Sequence, residues 1–233
     1  MRLSPRSKRK YIIVSVGGSL IVPDQLDTDF LERFRACILN HVERGFSFFI
    51  ITGGGRTARR YQEAGSAVRE LHPEDLDWLG IHATQLNAHL MRSLFKEVAQ
   101  ERIVKNPTRR IRTKAPIIIG AGWRPGASTD YCAVLAAKQL DAHRLVNLSD
   151  TDYVYDKNPD DNPDANPLTN VDWETFRTLI PDHWDPGLSS PFDPVAAKEA
   201  QRLKLEVAVL NGQKLEELEK YLAGEEFTGT VIS

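Results

Sequence analysis

Short runs of apolar, β-branched residues alternate along the chain with longer segments in which apolar residues recur at helical spacing. The first two runs are Tyr11 to Val16 and Phe46 to Thr52, and the segment Asp27 to Glu43 lies between them. In that segment apolar residues fall three or four positions apart and charged residues occupy the other faces, which predicts an amphipathic crossover helix. Because apolar residues do not alternate with polar ones along the two flanking strands, this β-α-β unit predicts a parallel sheet covered by helices on both faces.

The alternation continues along the chain and predicts a doubly wound α/β protein. Further strands are expected at Ala115 to Gly120, Arg144 to Ser149, Leu205 to Leu210 and Gly229 to Ile232, the last closing the sheet. Further helices are expected at Arg56 to Leu71, Glu74 to Val98, a segment ending at Lys138, Trp173 to Leu179, Pro194 to Leu203 and Lys214 to Leu222, with a Pro/Gly-rich loop after Leu179. The predicted fold is a three-layer αβα sandwich with a mostly parallel central sheet.

Length and composition limit the organisation and the partners of the chain. Its 233 residues, 41% hydrophobic and 27% charged, suffice for one large domain over residues 11–233, preceded by a basic tail over residues 1–10. The net charge of −2 argues against a protein that acts mainly on nucleic acid. No apolar run approaches the roughly 20 residues of a membrane-spanning helix, and none has signal-peptide character. A cytoplasmic protein without a membrane partner is therefore expected.

Three of the predicted strands lead into glycine-rich turns. The first strand ends in Gly17 to Ser19, the second in Gly53 to Gly55, and the third in the loop Ala121 to Asp130. Glycine lets the backbone approach an anion closely, and the N-terminus of a following helix directs N–H groups and a partial positive charge at it. After the second turn, three arginines in the first turns of the helix add forked donors, although a tight turn with solvated arginines is the alternative. Two such turns side by side predict two anionic groups, as in the transfer of phosphate from a donor to an acceptor.

A second candidate feature is the start of the helix that follows His72 and Pro73. Asp77 lies in its first turns, and Gly80 follows within the same helix. Because glycine inside a helix costs about 1 kcal/mol relative to alanine, Gly80 predicts that something approaches the helix there, and Asp77 would point at the same place. The alternative for Asp77 is a carboxylate that is favoured near a helix start by the helix dipole.

Four remaining features are interpreted as structural or as exposed surface. The basic excursion Arg102 to Lys114 is expected to be a solvated loop, with binding of an acidic partner or effector as the alternative. The segment Asp156 to Pro167 resembles a calcium loop but lacks glycine at its sixth position and glutamate at its twelfth, so a turn-rich loop is expected. Cys37 and Cys132 are too few and too isolated for a disulfide framework or a zinc cluster, and both are expected to be structural.

The order and spacing of these motifs resemble the amino acid kinase superfamily, and within it most closely the archaeal-like UMP kinases. The resemblance covers the chain from Tyr11 to its last residue. The segments that carry it are Val16 to Leu20, Thr52 to Gly55, Ala58 to Tyr61, Asp77 to Ile81, Leu86 to Ala88, Arg124 to Asp130, Asp152 to Tyr155, Asn158 with Pro159, and Phe192 to Lys198.

The resemblance implies ATP-dependent phosphorylation of UMP to UDP in pyrimidine nucleotide biosynthesis, with Mg²⁺ accompanying ATP and a homo-oligomer, commonly a hexamer. An acceptor-binding part is implied over residues 11–140 and an ATP-binding part over residues 141–233. The implied ATP-binding residues are Gly17, Gly18, Ser19, Gly55, Arg59, Asp150, Tyr155 and Asn158. The implied UMP-binding residues are Gly54, Asp77, Trp123, Arg124, Pro125, Gly126, Ala127, Ser128 and Thr129. The implied catalytic residues are Lys198, Asp150 and Gly18, and no metal ligand of the protein itself is implied.

The residues at hand suit this chemistry. The phosphate of UMP is already an anionic nucleophile near neutral pH, so transfer requires positioning and charge neutralisation and no general base. Two positions depart from the pattern of many family members, which have lysine where this chain has Ser15 and glycine where it has Tyr153. Ser15 leaves open a second hypothesis, a nucleotide-binding sensor or storage protein of the molybdenum-storage type. Spacing alone does not identify the acceptor, so a kinase of another small phosphate or carboxylate acceptor is a further hypothesis.

Overall fold

The computed structural model describes residues 9–159, 161–181 and 190–233. The predicted basic tail therefore lies outside the described residues except for Arg9 and Lys10, which are exposed. The Pro/Gly-rich loop predicted after Leu179 falls largely on residues 182–189, which also lie outside them.

Seven strands form one twisted sheet in the order β3-β2-β1-β4-β8-β9-β7. Neighbouring strands are parallel, except that β9 runs antiparallel to β8. The strands of this sheet are β1 (Ile12–Val16), β2 (Phe48–Thr52), β3 (Ile117–Gly120), β4 (Arg144–Ser149), β7 (Asn170–Val171), β8 (Glu206–Asn211) and β9 (Thr230–Ile232), and β5 (Val154–Tyr155) pairs with β6 (Pro167–Leu168) in a separate two-stranded sheet. The predicted α/β class with a mostly parallel sheet is confirmed.

Helices cover both faces of this sheet. They are α1 (Gly18–Ile21), α2 (Thr28–Glu43), α3 (Gly55–Val68), α4 (Pro73–Leu94), α5 (Thr129–Leu140), α6 (Trp173–Thr178), α7 (Pro194–Leu203) and α8 (Leu215–Ala223). The predicted helices after Arg56 and Glu74 both end earlier than expected, at Val68 and Leu94. The expectation that the last strand closes the sheet is wrong, because β7 pairs with β9 and forms the outer edge.

The core is divided by the sheet into two apolar layers. Along β1, Ile12 and Val14 face one layer with residues of α2, α4 and α8, whereas Ile13 faces the other with residues of α5, α6 and α7. This alternation follows from the two-residue period of a strand, and it gives the predicted three-layer αβα arrangement. Both layers are apolar because each strand of a doubly wound sheet is covered twice.

The parallel strands bring their carboxyl ends to one edge of the sheet, which we call the carboxyl edge. The residues that follow β1, β2, β3, β4 and β8 there are Gly17, Gly53, Ala121, Asp150 and Gly212. The chain order reverses at β1, which lies between β2 and β4. In open α/β sheets, ligands bind outside the carboxyl ends of the strands at this switch point.

The outer edge of β3 is covered by the start of the basic excursion. The Val104 amide donates to the Ile119 carbonyl oxygen at 2.8 Å, and the Ala121 amide donates to the Val104 carbonyl oxygen at 3.1 Å. All six basic side chains of the excursion are exposed, as the sequence predicts. None of the helices within the described ranges is both long and apolar enough to cross a membrane.

Candidate functional site

The first two glycine turns touch each other through their backbones. A Cβ atom placed on Gly18 would lie 2.1 Å from the Gly55 nitrogen and 2.8 Å from the Gly54 nitrogen. One placed on Gly53 would lie 2.4 Å from the Gly18 nitrogen, and Gly55 has a positive φ of 60°. Only glycine allows this approach. The tertiary structure thus gathers the backbone nitrogens of both turns at the switch point, as two adjoining anion sites require.

The helix that starts from the second turn has an open N-terminus. Its N-cap is Gly54, and no side chain of the described residues caps it, whereas Ser128 caps α5 through the Tyr131 amide. The first N–H groups of a helix have no partner within it, so an uncapped N-terminus favours an anion. Arg56 donates its own amide to the Val22 carbonyl oxygen, which fixes the turn against the loop after α1.

The three arginines at the start of α3 differ in their partners. Arg56 pairs with Glu63 at 3.2 Å, and Arg60 pairs with Asp24 at 2.6 Å. Arg59 is exposed and forms no salt bridge or side-chain hydrogen bond with another described residue. Of the three, Arg59 is therefore the one whose guanidinium is not engaged by a carboxylate of the described residues.

Two of the predicted acceptor residues meet across 49 positions of sequence. The Gly126 amide donates to Asp77 Oδ2 at 2.8 Å, which ties the loop after β3 to the start of α4. In the same loop the Arg124 guanidinium lies over the Trp123 ring, 4.2 Å from its centroid. A carboxylate that served only to interact with the helix dipole would not need the hydrogen bond from Gly126. Asp77 therefore has a specific partner as well.

Two buried polar residues of α4, Thr84 and Asn87, hold the glycine turns in place. The Asn87 amide donates to the carbonyl oxygens of Gly53 and Gly54 at 2.8 and 3.3 Å. Thr84 Oγ1 accepts the Gly122 amide at 2.8 Å. We did not predict a role for either residue from the sequence. The signal was a pair of polar residues on the apolar face of a helix, since a buried polar group nearly always has a specific partner.

Ser15, which stands where many family members have lysine, is bonded to the carboxyl group of Asp130. Its hydroxyl donates to Asp130 Oδ1 at 3.2 Å, and the Asp193 amide donates to Asp130 Oδ2 at 3.3 Å. Enclosure of the Asp130 carboxyl group, and then the nearby Asp193, raises the pKa of Asp130 to about 6. Burial also raises the pKa of Asp193, which caps α7 through the Ala196 amide. These contacts join β1, α5 and α7 behind the carboxyl edge.

The predicted ATP-binding residues after β4 lie on exposed structure. Asp150 is exposed, and Asn158 is in the exposed turn region that follows β5. Tyr155 lies in β5 and packs edge-on against Tyr153, with ring centroids 6.4 Å apart. The neighbouring Asp152 is less available to a ligand than Asp150, because the Lys214 ammonium donates to its carboxylate at 2.7 Å. The same hydrogen bond lowers the pKa of Asp152.

Lys198 lies on the exposed side of α7, opposite the buried alanines Ala196 and Ala197. It forms no salt bridge or side-chain hydrogen bond with another described residue. The structure therefore brings together Gly18, Gly54 and Gly55, and separately Asp77 and Gly126, but it records no contact between Lys198 and either group.

We predicted that something approaches α4 at Gly80, and in the structure the neighbour is helix α3 of the protein itself. A Cβ atom on Gly80 would meet only Gln62 Nε2 of α3, at 3.4 Å, and the Gly80 carbonyl oxygen faces Gly54. Gly80 therefore lies where α3 and α4 pack closely.

The substitution Gly80→Ala should raise the free energy of unfolding by up to about 1 kcal/mol, because alanine is the better helix former. This corresponds to a rise in Tm of about 2–4 °C for a protein of this size. Calorimetry measures the shift, and wild-type protein in the same buffer is the control. A lowered Tm would instead indicate that the new methyl group disturbs the packing of α3 on α4.

Comparisons of this chain with a family model, with curated relatives and with solved structures agree on one family. The model of the amino acid kinase family matches residues 10–211. A uridylate kinase of Methanocorpusculum labreanum is 31% identical over 225 residues, which cover 95% of this chain and 94% of the relative. A uridylate kinase of Sulfurisphaera tokodaii is 32% identical over 215 residues, covering 88% and 93% of the two chains. The crystal structure of a uridylate kinase from Archaeoglobus fulgidus superposes with a TM-score of 0.82 at 25% identity, over 95% of this chain and 99% of that one.

The mostly parallel sheet, its switch point and the touching glycine turns define a doubly wound α/β protein, with the candidate ligand site at its carboxyl edge. With the match over most of its length, the chain belongs to the amino acid kinase family. A UMP kinase from Bacillus anthracis shares the fold, with a TM-score of 0.75 at 18% identity over 96% of each chain.

Proposed function

We propose that this protein is a UMP kinase, which transfers the γ-phosphoryl group of ATP directly to the phosphate of UMP and releases ADP and UDP. The observation that carries the proposal is the backbone contact between Gly18 and Gly55, which joins two glycine turns into one cradle. The assignment of UMP as the acceptor is supported by relatives named uridylate kinase that align with nearly the whole chain at about 30% identity.

The donor and acceptor occupy neighbouring parts of the cradle in this proposal. Gly17 to Ser19, Gly55 and Arg59 hold the ATP phosphates, with Asp150, Tyr155 and Asn158 around the rest of the nucleotide. Gly54, Asp77 and the loop Trp123 to Thr129 hold UMP. The acceptor part spans residues 11–140 and the ATP part residues 141–233, so the reaction takes place between strands β1 and β4, where the two parts meet in the sheet.

Catalysis in this arrangement rests on positioning and charge. The second pKa of a phosphate monoester is about 6, so the UMP phosphate is mostly dianionic near neutral pH and attacks without a general base. The open N-terminus of α3 and the amides of the two turns stabilise the charge on the transferring group. The Lys198 ammonium adds charge neutralisation, because helical side chains lean towards the N-terminus and Lys198 is only about 6 Å along the axis from the first residue of α7.

Magnesium is expected to arrive with ATP. The donor set fits, since Mg²⁺ is usually held by one or two carboxylates together with phosphate oxygens and water. Asp150 meets that need, because it is an exposed carboxylate directly after β4 and belongs to no salt bridge among the described residues. When bound there, the ion would neutralise charge on the phosphates of the donor.

A coupled assay of ADP release tests the proposal. The purified protein is incubated with Mg²⁺, ATP and, one at a time, UMP, CMP, dUMP, isopentenyl phosphate and acidic amino acids. We expect UMP to give the highest kcat/KM. Stimulation by isopentenyl phosphate or an amino acid alone would reassign the acceptor, and no stimulation by any nucleoside monophosphate would refute the kinase proposal.

A nucleotide-binding sensor or storage protein is the second candidate, and Ser15 is the observation that favours it. The Ser15 hydroxyl donates to Asp130 at a position where a lysine would supply positive charge to a transferring phosphate. Calorimetric binding of ATP without turnover in the assay would support this candidate. Turnover with UMP would exclude it.

We extend the proposal to the setting of the enzyme. The product UDP places the reaction in pyrimidine nucleotide biosynthesis in the cytoplasm. We also propose that the protein forms a homo-oligomer. The family resemblance favours a hexamer. Light scattering after size-exclusion chromatography measures the mass directly and would contradict the hexamer if it returned 26.2 kDa, the mass of one chain.

We expect Arg59→Ala to lower kcat/KM by about 10- to 150-fold, since a charged, desolvated contact to phosphate contributes about 1.5–3 kcal/mol. The Tm should change little, because Arg59 is exposed and unpaired among the described residues. Steady-state kinetics with both substrates varied measure the effect.

The matched control is Arg60→Ala, which removes the neighbouring arginine that pairs with Asp24. Its kcat/KM should stay within about threefold of wild type, because the Arg60 guanidinium is engaged by Asp24 and is not expected to contact phosphate, and loss of this exposed ion pair should cost at most about 1 kcal/mol of stability. Equal losses in the two variants would show that general positive charge matters and that Arg59 has no specific contact.

The substitution Asp77→Asn should raise the KM for UMP by about tenfold and leave the KM for ATP nearly unchanged. Asparagine keeps an oxygen that can accept the Gly126 amide, so the loop stays in place, but the charged acceptor for a ribose hydroxyl is lost. Initial-rate measurements against each substrate separate the two constants. Glu74→Gln, in the exposed first turn of the same helix, should change neither KM. Equal changes in both constants for Asp77→Asn would indicate a structural role.

A further inference from the structure

Three side chains with metal-binding chemistry converge between α2 and α8, away from the carboxyl edge. Cys37 and His41 lie one turn apart on α2, and Glu219 lies on α8. Their ligand atoms, one from each residue, all lie within 4.8 Å of one another. Cys37 and His41 are buried, with exposed fractions of 7% and 1%, whereas Glu219 is exposed. From this arrangement we propose a zinc site formed by Cys37, His41 and Glu219, which we call the α2–α8 site.

A hydrogen bond from Nδ1 fixes the imidazole ring of His41 and leaves Nε2 as the nitrogen that can bind a metal. The Nδ1 atom lies 2.9 Å from the Cys37 carbonyl oxygen, and because a carbonyl oxygen only accepts, Nδ1 carries the proton. Nε2 then presents a lone pair, which Arg44 Nη1 approaches at a long distance of 3.5 Å. A histidine ligand commonly donates its second ring N–H to a backbone carbonyl in this way, which fixes the ring and raises its basicity. The competing Arg44 contact is long and therefore weak.

The Cys37 thiol must give up its proton when it binds a metal ion, because the thiolate is the ligand form. Binding of Zn²⁺ forms a Zn–S bond and releases the thiol proton to solvent. The negative charges of the Cys37 thiolate and the Glu219 carboxylate then balance the 2+ charge of the ion. The two anionic groups therefore do not repel each other in the bound state.

The chemistry and the distances favour zinc over the magnesium of the nucleotide site. A sulfur, a nitrogen and an oxygen ligand suit Zn²⁺, with a water in the fourth tetrahedral position, whereas Mg²⁺ demands oxygen ligands. Ligand atoms at bond lengths of 2.0–2.3 Å lie about 3.3–3.8 Å apart, so atoms that lie up to 4.8 Å apart must approach by up to about 1.5 Å. Rotation of the exposed Glu219 side chain supplies this movement for its own oxygen, and small adjustments of the Cys37 and His41 side chains must supply the rest.

A zinc ion in the α2–α8 site would hold helices α2 and α8 together. Helix α2 lies between β1 and β2, whereas α8 follows β8, so one ion would join a segment near the beginning of the chain to one near its end. Both helices cover the same apolar layer. The role proposed for zinc is therefore structural, and it is independent of the proposed kinase function.

Isothermal titration of the untagged protein with Zn²⁺, after treatment with a chelator, tests the proposal. We expect one zinc ion per chain, release of about one proton per ion, and a rise in Tm of about 5–10 °C at a zinc concentration 100 times the Kd. Co²⁺ should give the near-ultraviolet charge-transfer absorption of a cobalt–thiolate bond. Mg²⁺ at the same concentration should produce neither the absorption nor the rise in Tm.

Variants locate the binding. Cys37→Ser should weaken zinc binding at least about 100-fold, and Glu219→Gln, a change at an exposed position, about 10- to 100-fold. Cys132→Ser alters the other buried cysteine, on α5, and should leave the zinc affinity unchanged. Absence of stoichiometric binding, or binding that Cys37→Ser and Glu219→Gln leave unchanged, would overturn the proposal.

Discussion

Replacing Gly18 with alanine should lower kcat/KM for phosphate transfer by about 10²- to 10³-fold. The new Cβ would lie 2.1 Å from the Gly55 nitrogen, so the two glycine turns must separate by more than 1 Å to reach ordinary contact. A displacement of this size in a catalytic site costs about 10²-fold, and the loss of one donor to a developing charge costs about 10²- to 10³-fold. The same overpacking should lower the free energy of unfolding by about 1–3 kcal/mol.

The kinetic effect can be separated from the loss of stability. Gly45→Ala is the matched control, because Gly45 has a φ of 96° with no atom within 4 Å of a new Cβ, and it lies at the other end of β2. That variant should lose stability through backbone strain and keep its kcat/KM. Both variants are assayed below the Tm measured by circular dichroism. A folded Gly18→Ala protein with wild-type kcat/KM would refute the proposed cradle.

The second large effect is expected for Lys198→Ala, which should reduce kcat by about 10²-fold or more and change the KM of either substrate only modestly. Ser15 leaves the first glycine turn without a cation, so the charge on the transferring group must be neutralised from elsewhere. An ammonium that acts mainly in the transition state affects kcat more than KM. The Tm should not change, because Lys198 is exposed and makes no salt bridge among the described residues.

Lys204→Ala provides the comparison for this variant. Lys204 is also exposed, but it caps the opposite end of α7, away from the carboxyl edge. Its removal should leave kcat within about twofold of wild type. Unchanged kcat in Lys198→Ala would exclude Lys198 from catalysis. Adding lysine to that variant through Ser15→Lys should restore part of the lost kcat, because position 15 lies two residues before the first glycine turn and would supply a cation there.

The sequence alone determined the class of fold and the placement of its main elements. The runs Ile12–Val16 and Phe48–Thr52 are mostly apolar and were predicted as strands, and the strand Arg144–Ser149 and the helix Pro194–Leu203 were predicted with their observed bounds. These features depend on short-range chemistry: the period of a helix or strand, the glycine at a turn, and a capping hydroxyl such as Ser128. Because parallel strands share a direction, the predicted strand ends also implied that the glycine turns lie at one edge.

Only the tertiary structure decided which side chains and turns meet. The contact of Gly18 with Gly55 and the hydrogen bond from Gly126 to Asp77 join segments that are distant in sequence. Strand β7 is two residues long, too short for a periodic signal, so its place at the sheet edge was not predictable. Local patterns encode the conformation of a segment, whereas the meeting of Cys37 with Glu219 depends on how α2 and α8 pack on the sheet. That packing is fixed by the summed burial of the whole apolar layer, which no single segment contains.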